Sequence, residues 1–414
     1  MKKTVWIMNH YAGNMFFDRG GRHYNFAKYL KRSGYEPVVF CANSRHNAEG
    51  LWFENDGLWH EHTAEEINVP FVFVAARDYA GNGKQRVLNM VDFYRHVKKA
   101  AKAYAAQNGK PDVILASSVH PLTLVAGIQL AKHFGVKCIC EVRDLWPESI
   151  VEYSSRLTRK NPVIRLLYAG EKWIYKKADA VLFTCEGSYD YILEQGWEKA
   201  IPREKVFTIN NGVDLEQFDA NRAQFTVEDA DLDDPEQFKV VYTGSIRRVN
   251  NLGLLLDAAK QVTDPRVKFL VWGDGDELSA LRQRLSDEEI ENVVFKGRVE
   301  KRCVPDIVSR ADLNFMHGTS SNLFRFGISP NKLFEYFAAG RPVLSDLEAK
   351  YDPTETFQCG VFATTGEEIA AAVQRLAGAP AEEYAQLCSG SRKAAQEYDF
   401  SNLTKTLIEI IEKG

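Results

Sequence analysis

The stretch G-I-S-P-N-K-L-F-E-Y-F-A-A-G-R-P-V, from Gly327 to Val343, decides the fold. It reads as a helix with both ends marked: Ser329 as its cap, Pro330 in its first turn, and Gly340 followed by Pro342 as its stop. Val343 and Leu344 then start a strand. At about 100° per residue, Leu333, Phe334, Phe337 and Ala338 form one apolar stripe, and Lys332 and Glu335 share the opposite side. That spacing predicts a helix packed on a sheet with Lys332 and Glu335 turned toward a cleft. A lysine in a first turn opposes the helix dipole, and together with free backbone N–H groups it suits a phosphate. A carboxylate one turn deeper accepts from ribose hydroxyls. A solvated Lys and Glu on an ordinary surface helix is the alternative.

Upstream of this helix the same β-loop-α pattern repeats. Strands are expected at Phe238 to Thr243, Lys268 to Trp272, Val293 to Lys296 and Leu313 to Met316. The first three run into Gly244-Ser245-Ile246-Arg247-Arg248, Gly273-Asp274-Gly275-Asp276 and Gly297-Arg298. Glycines at successive strand ends suggest backbone approaching something flat or anionic. Arg247 or Arg248 would then face Lys332 across a diphosphate, since guanidinium binds phosphate well.

The first half of the chain alternates in the same way, with strands expected at Val5 to Met8, Pro37 to Phe40, Phe71 to Ala75, Val113 to Ala116, Val136 to Val142 and Ala180 to Thr184. Such alternation implies an α/β architecture: mainly parallel, doubly wound sheets with ligands beyond the carboxyl ends of the strands. Gly20-Gly21 follows the first strand and lets backbone approach a ligand; a flexible turn is the other reading. Two strand ends carry unusual chemistry: Ser117-Ser118-Val119-His120-Pro121 and the run Glu141 to Glu148, which includes Arg143 and Asp144. His120 is a candidate proton handler because histidine titrates near neutrality, although a loop histidine often only bonds backbone. Arg143 and Asp144 either act on a ligand or pair with each other. His60 and His62 sit in what reads as a polar loop, with no third metal ligand placed by spacing.

At 414 residues, with 45% hydrophobic and 26% charged residues, the chain fits a globular protein of two domains. A net charge of −4 opposes a general nucleic-acid binder. Seven cysteines without C-x-x-C suggest reduced thiols in the cytoplasm. The chain enters its first strand at once, without a signal peptide, and has no apolar run near 18 residues, so any membrane contact would be peripheral. Residues 84 to 110, with Arg86, Arg95, Lys98, Lys99 and Lys102, and residues 156 to 177, with Arg156, Arg159, Lys160, Arg165 and Lys172, are basic and amphipathic. They either rest on anionic lipid at the inner face of the cell membrane or form core stripes with solvated basic faces. The pattern divides the chain at 1–212, an acidic linker 213–237, a second domain 238–395, and a C-terminal helix 396–414 packing back on the first domain. Asp231-Leu232-Asp233 resembles a metal-binding D-x-D by chance only.

Taken together, Gly20-Gly21, N-N-G-V-D from Asn210, Y-T-G-S from Tyr242, G-D-G from Gly273, F-K-G-R-V from Phe295 and the opening stretch resemble a family 4 glycosyltransferase of the GT-B fold. That fold has two Rossmann-like domains facing across a cleft. E-V-R-D-L-W-P-E-S with G-I-S-P-N-K is most similar to bacterial transferases of O-antigen or capsule assembly, such as N-acetyl-L-fucosaminyltransferases. The resemblance implies retaining transfer from a nucleotide sugar, usually a UDP-sugar, to a polyprenyl-diphosphate-linked saccharide. No metal and no cofactor are expected. By the same resemblance Glu335 holds the ribose, Lys332 and Arg247 the diphosphate, Gly21 the phosphate region, and Arg298 and Val299 the base. Gly244, Gly327, Ser329 and Asn331 complete the donor site. His120 lies near the anomeric carbon, making His120, Lys332 and Arg247 the expected catalytic set, and His10, Arg143 and Asp144 are expected at the acceptor.

The chain departs from the family pattern twice. A Glu eight positions before the ribose Glu is replaced by Gly327, and a Lys after the phosphate-loop Arg is replaced by Asn250. A nicotinamide dehydrogenase is disfavoured because no G-x-G-x-x-G follows the first strand of either half. A nucleotide-sugar epimerase and a degenerate, non-catalytic transferase subunit remain as alternatives.

Overall fold

The computed structural model describes residues 2–46, 48–54, 56–81, 83–118, 120–154 and 156–413; Val119 of the Ser117–Pro121 run lies outside them. The chain forms two compact units, Met1–Asn210 with Leu403–Gly414, and Asn211–Asn402.

The first unit is built on eight strands: β1 Thr4–Met8, β2 Glu36–Ala42, β3 Trp59–Ala64, β4 Val69–Val74, β5 Val113–Ser117, β6 Lys137–Val142, β7 Ala180–Phe183 and β8 Val206–Thr208. Their order is β3-β4-β2-β1-β5-β6-β7-β8, parallel throughout except where β3 runs against β4. Val5, Trp6, Ile7 and Met8 are all fully buried. Helices cover both faces, which is why β1 is continuously apolar rather than alternating. The order reverses between β1 and β5, so their carboxyl ends open the crevice where such sheets take ligands. The last residues return to this unit, where Tyr35 donates to Glu412 at 2.7 Å.

Three local expectations change here. His60 and His62 lie on β3, an edge strand, where His60 pairs with Asp56 and His62 stacks on Phe53 with centroids 3.8 Å apart. The polar residues of β3 had masked its period-2 pairing with β4. The second basic stretch becomes helical only at Pro162–Lys177, capped by Asn161, whose side chain accepts from Val163 N at 2.9 Å. In the helix Lys84–Asn108, Arg86 is not a surface cation: it turns in, and its Nε donates to the Tyr11 hydroxyl at 3.2 Å.

The second unit carries six parallel strands: β9 Phe238–Thr243, β10 Val267–Trp272, β11 Val293–Gly297, β12 Leu313–Met316, β13 Val343–Ser345 and β14 Gly360–Phe362. Their order is β11-β10-β9-β12-β13-β14. Alternation divides its core, with Val240, Tyr242, Phe269, Val271 and Phe315 in one layer and Val241, Leu270 and Trp272 in the other. Glu228 to Glu236, expected as a linker between domains, packs onto this unit. Leu232 is buried in the second layer, Lys296 bonds Asp229 at 2.8 Å, and Lys268 bonds Asp231 at 2.6 Å. Asp231 is thus occupied by lysines, and among the described residues no cluster of side chains is arranged to hold a metal ion.

Candidate functional site

In the second unit the opening stretch forms the helix Asn331–Ala339, ending at Gly340 with φ 66°. Leu333, Phe334, Phe337 and Ala338 are buried, as the stripe requires, and Tyr336 joins them with its hydroxyl receiving Thr243 N at 3.1 Å. Ser329 does not cap the helix. Its Oγ accepts from Asn211 N at 2.8 Å and its carbonyl accepts from Asn211 Nδ2 at 2.7 Å. Pro330 in extended backbone ends the helix instead, leaving the N–H groups of the first turn without a side-chain cap.

Lys332 crosses from this helix to the end of β9. Its Nζ sits 4.3 Å from the centroid of the Tyr242 ring and donates to the Tyr242 hydroxyl at 3.1 Å. A Cβ on Gly244 would stand 2.9 Å from that Nζ, and the φ of 150° there is one that L side chains rarely adopt. Burial pushes the Lys332 ammonium down to about 8, against the pull of Glu335 and Asp346. Burial raises Glu335, opposed by Lys301 and Lys332, and among the described residues its carboxylate accepts no hydrogen bond. A cation and an uncommitted acceptor thus share one helix face.

The loops at the strand ends pack on one another. Gly244 N donates to Trp272 O, Ile246 N to Asp274 O and Gly273 N to Gly297 O, so the three loops stack on one another. A Cβ on Gly273 would come within 1.8 Å of Gly244 O, and one on Gly275 within 2.0 Å of Ile246 O. Gly273 and Gly275 are thus required by backbone-on-backbone packing. Asn250 closes the loop after β9 by donating to Ser245 O at 2.7 Å and to Ser245 Oγ at 2.8 Å. His317 anchors the next residue, bonding Asn251 O at 2.6 Å while its other nitrogen meets Asp346. Arg247 is exposed on this loop and has no ion pair among the described residues. Arg298 is exposed as well, whereas Val299 packs its side chain on the second core layer, leaving only its backbone for a base. Gly327 holds φ 97° at the end of a 3₁₀ turn, a conformation that a glutamate there would strain. Asn331 is exposed at the helix start.

In the first unit the structure brings His10 and His120 together, Nδ1 to Nε2 at 2.7 Å. His10 stacks on Phe93, and Tyr11 stacks on His46, whose Nδ1 meets the Tyr79 hydroxyl at 2.8 Å. Burial lowers all three histidines, His10 well below its usual value, His46 to about 4 and His120 to about 3, with Arg86 adding to the effect on each. The expectation that His120 titrates near neutrality is therefore overturned. It is a neutral imidazole that exchanges one hydrogen bond with His10 and keeps Nδ1 unpartnered among the described residues. It can orient a hydroxyl but does not carry a charge at pH 7. Arg143 and Asp144 form no ion pair with each other; Arg143 retains a buried Nε without a partner, and Asp144 is exposed.

Gly21 takes φ 98° at the start of the helix Arg22–Arg32. Beneath it is a buried network that residue patterns alone did not reveal. Glu141 accepts from Arg22 Nε at 2.8 Å, His23 Nε2 at 2.7 Å and Ser117 Oγ at 2.6 Å, and Arg22 also donates to the carbonyls of Ile209 and Asn210. Burial alone would raise the Glu141 carboxyl, yet Arg22 and His23 hold it well below the usual range. This network clamps the Gly20-Gly21 turn to β5 and β6. The available signal was a glutamate inside a run of apolar strand residues, which demands a buried cation.

Residues 22–217 match the family described as Glycosyltransferase Family 4, and residues 237–378 match Glycosyl transferases group 1. The protein TuaH of Bacillus subtilis (strain 168), provisionally named a teichuronic acid biosynthesis glycosyltransferase, is 30% identical over 211 residues. That match covers 50% of this chain and 49% of TuaH, so it spans about half of each. Among solved structures, sucrose-phosphate synthase from Thermosynechococcus elongatus aligns with a TM-score of 0.70 at 17% identity over 99% of this chain and 98% of that one. Anabaena HepE in complex with UDP aligns at 0.65 and 15% identity over 100% of both chains. A trehalose-6-phosphate protein from E. coli bound with UDP-2-fluoro glucose aligns at 0.70 and 10% identity, over 100% of this chain and 99% of the other. At these identities the structural likeness is one of fold.

Proposed function

We propose, from the premise that this chain is a glycosyltransferase of the GT-B fold, that it moves a sugar from a UDP-sugar to a polyprenyl-diphosphate-linked saccharide with retention of configuration. The observation that carries the donor half is Lys332 lying over Gly244 and Tyr242 at an uncapped helix start, with the uncommitted Glu335 one turn on. The ammonium and first-turn N–H groups take the diphosphate, Arg247 joins them from its exposed loop, and Glu335 accepts from the ribose. The relatives support uridine as the base, since HepE and the E. coli protein were captured with UDP or a UDP-sugar.

Charge grows on the departing diphosphate during transfer, and fixed cations stabilise it more in the transition state than in the ground state. The acceptor hydroxyl then attacks from the face the diphosphate leaves and passes its proton to the leaving phosphate, so no metal or charged base is required. The neutral His120, held by His10, orients a hydroxyl of a bound sugar, and Arg143 and Asp144 receive the acceptor. In this reading the enzyme works in the cytoplasm against the inner face of the membrane, in assembly of an O-antigen, capsule or related polysaccharide. No helix among the described residues is long and apolar enough to cross a membrane. Calorimetric titration with UDP, GDP and NAD tests the donor half. Preferential UDP binding that is lost in Lys332→Ala supports it, and binding of NAD or of none of the three refutes it. Donor turnover only with acceptor present separates transfer from epimerisation and from a non-catalytic subunit.

A further inference from the structure

The first unit contains a cavity of about 210 Å³ that the donor chemistry does not use. Its walls are Leu124 and Val125 of the helix Pro121–Phe134, Val142 of β6, Pro147, and Leu167 and Ile174 of the helix Pro162–Lys177. Glu171 also lines it, but both carboxyl oxygens are occupied, by the Tyr175 hydroxyl at 2.6 Å and the Tyr191 hydroxyl at 2.7 Å. Burial pushes that carboxyl up to about 8, so at pH 7 it is mostly uncharged. A saccharide or nucleotide in such a cavity would lose its hydrogen bonds to water and gain few in return. A hydrocarbon would not.

Ser118 and Asp144 complete the lining, and Arg143, next in sequence to Asp144, has a buried Nε without a partner among the described residues. Leu166 and Trp173 also line it while remaining 72% and 41% exposed. Helical spacing sets Arg165 and Lys176 alongside those two residues, and both are exposed and without ion pairs among the described residues. An apolar cavity with an exposed apolar rim flanked by cations matches a long hydrocarbon bearing an anionic head. We infer that the cavity seats the isoprenoid chain of the lipid-linked acceptor, with the acceptor diphosphate drawn to Arg143. This rests on the acceptor class proposed above. Asp144, which receives the acceptor in the reading above, lines the cavity, and this favours that occupant over a membrane acyl chain, which has no need to reach it.

Farnesyl diphosphate is the probe, compared with inorganic diphosphate by calorimetry on the full chain. Gly170 lines the cavity and a Cβ there meets nothing within 4 Å, so Gly170→Phe introduces a bulky side chain at the cavity and replaces a poor helix former. Each buried methylene is worth roughly fourfold in affinity. Farnesyl diphosphate should therefore bind the wild type more than tenfold tighter than inorganic diphosphate, and Gly170→Phe should abolish that preference while leaving UDP affinity intact. Leu166→Glu at the exposed rim should weaken the preference in the same direction and serves if the first variant folds poorly. Unchanged farnesyl binding in both variants overturns the inference. So does binding only to phosphatidylglycerol vesicles, which would make the patch a membrane contact, or self-association lost in Gly170→Phe, which would make it a dimer face. Absence of UDP binding by the wild type would instead refute the donor reading and leave the farnesyl comparison standing.

Discussion

The depressed Lys332 ammonium makes donor binding depend on pH in a defined direction. With its pKa at about 8, Lys332 is mostly protonated at pH 7, half protonated at pH 8 and mostly neutral at pH 9. The second ionisation of a terminal phosphate lies near 6, so the charge on the diphosphate changes little over this range, and a control titration with inorganic diphosphate removes the ionisation of the uracil ring near pH 9. If only the charged lysine holds the diphosphate, Kd should rise about twofold at pH 8 and about tenfold at pH 9, relative to pH 7. Binding at pH 8 should take up about half a proton, readable by titrating in buffers of different ionisation enthalpy. Lys332→Met should weaken UDP by roughly 10–100-fold at pH 7, the worth of one charge-assisted hydrogen bond, and remove the pH dependence. Stability should move the other way. A lysine whose pKa falls from 10.5 in the unfolded chain to about 8 when folded costs stability at every pH below 8, and the cost fades as pH rises toward 10.5. The ceiling is about 3 kcal/mol, and partial solvent access reduces it to roughly 1–2 kcal/mol. Lys332→Met should thus be more stable than the wild type at pH 7 and lose that advantage above pH 10. A flat UDP affinity from pH 7 to 9, or the same slope in Lys332→Met, would refute the assignment of the diphosphate to this side chain.

His10→Ala should leave UDP affinity unchanged and lower kcat by roughly tenfold, the worth of one hydrogen bond orienting His120. His10→Asn should restore part of the loss, and equal kcat in all three proteins would make the pair structural. Gly273→Ala forces a Cβ to within 1.8 Å of Gly244 O, so it should cost roughly 2–4 kcal/mol in chemical unfolding and weaken UDP binding; an unchanged midpoint would mean the loops yield freely. Glu171, raised from 4.5 to about 8, holds its proton in the folded state over a range where the unfolded chain has released it. The Glu171 contribution to stability should therefore fall by about 1.4 kcal/mol per unit as pH rises from 6.5 toward 8. The buried histidines, partly protonated in the unfolded chain near 6.5, contribute in the opposite sense, so the difference between wild type and Glu171→Gln isolates the Glu171 contribution. Glu171→Gln should flatten that slope, and an unaltered slope would show that another group titrates.

The features legible in the chain are those that depend on neighbours in sequence. Gly340 after an apolar stripe marks a helix end because a left-handed backbone suits glycine. The continuous apolar runs at β1 and β9 mark strands covered on both faces, and their alternation with helices implies parallel sheets. Lys332 and Glu335 fall on one face because the helix turns 100° per residue. Even there, one local rule failed: Ser329 has the composition of a cap, but Asn211 claims its hydroxyl. β3 was missed because a polar edge strand shows its identity only through its partner.

What only the tertiary structure decided is the state of each group. His120 lies 110 positions from His10, and nothing nearby in sequence says that the pair is buried together and held neutral. Glu141 meets Arg22 across 119 positions, and Lys332 finds Tyr242 and Gly244 across some 90. The apolar cavity has walls from helices and strand ends that no periodicity relates. Dihedral preferences and side-chain spacing act over a few residues and are written locally. Desolvation, pairing and enclosed volume arise only when distant segments exclude water from the same place, so protonation states, the purpose of the loop glycines and the cavity had to be read from the fold.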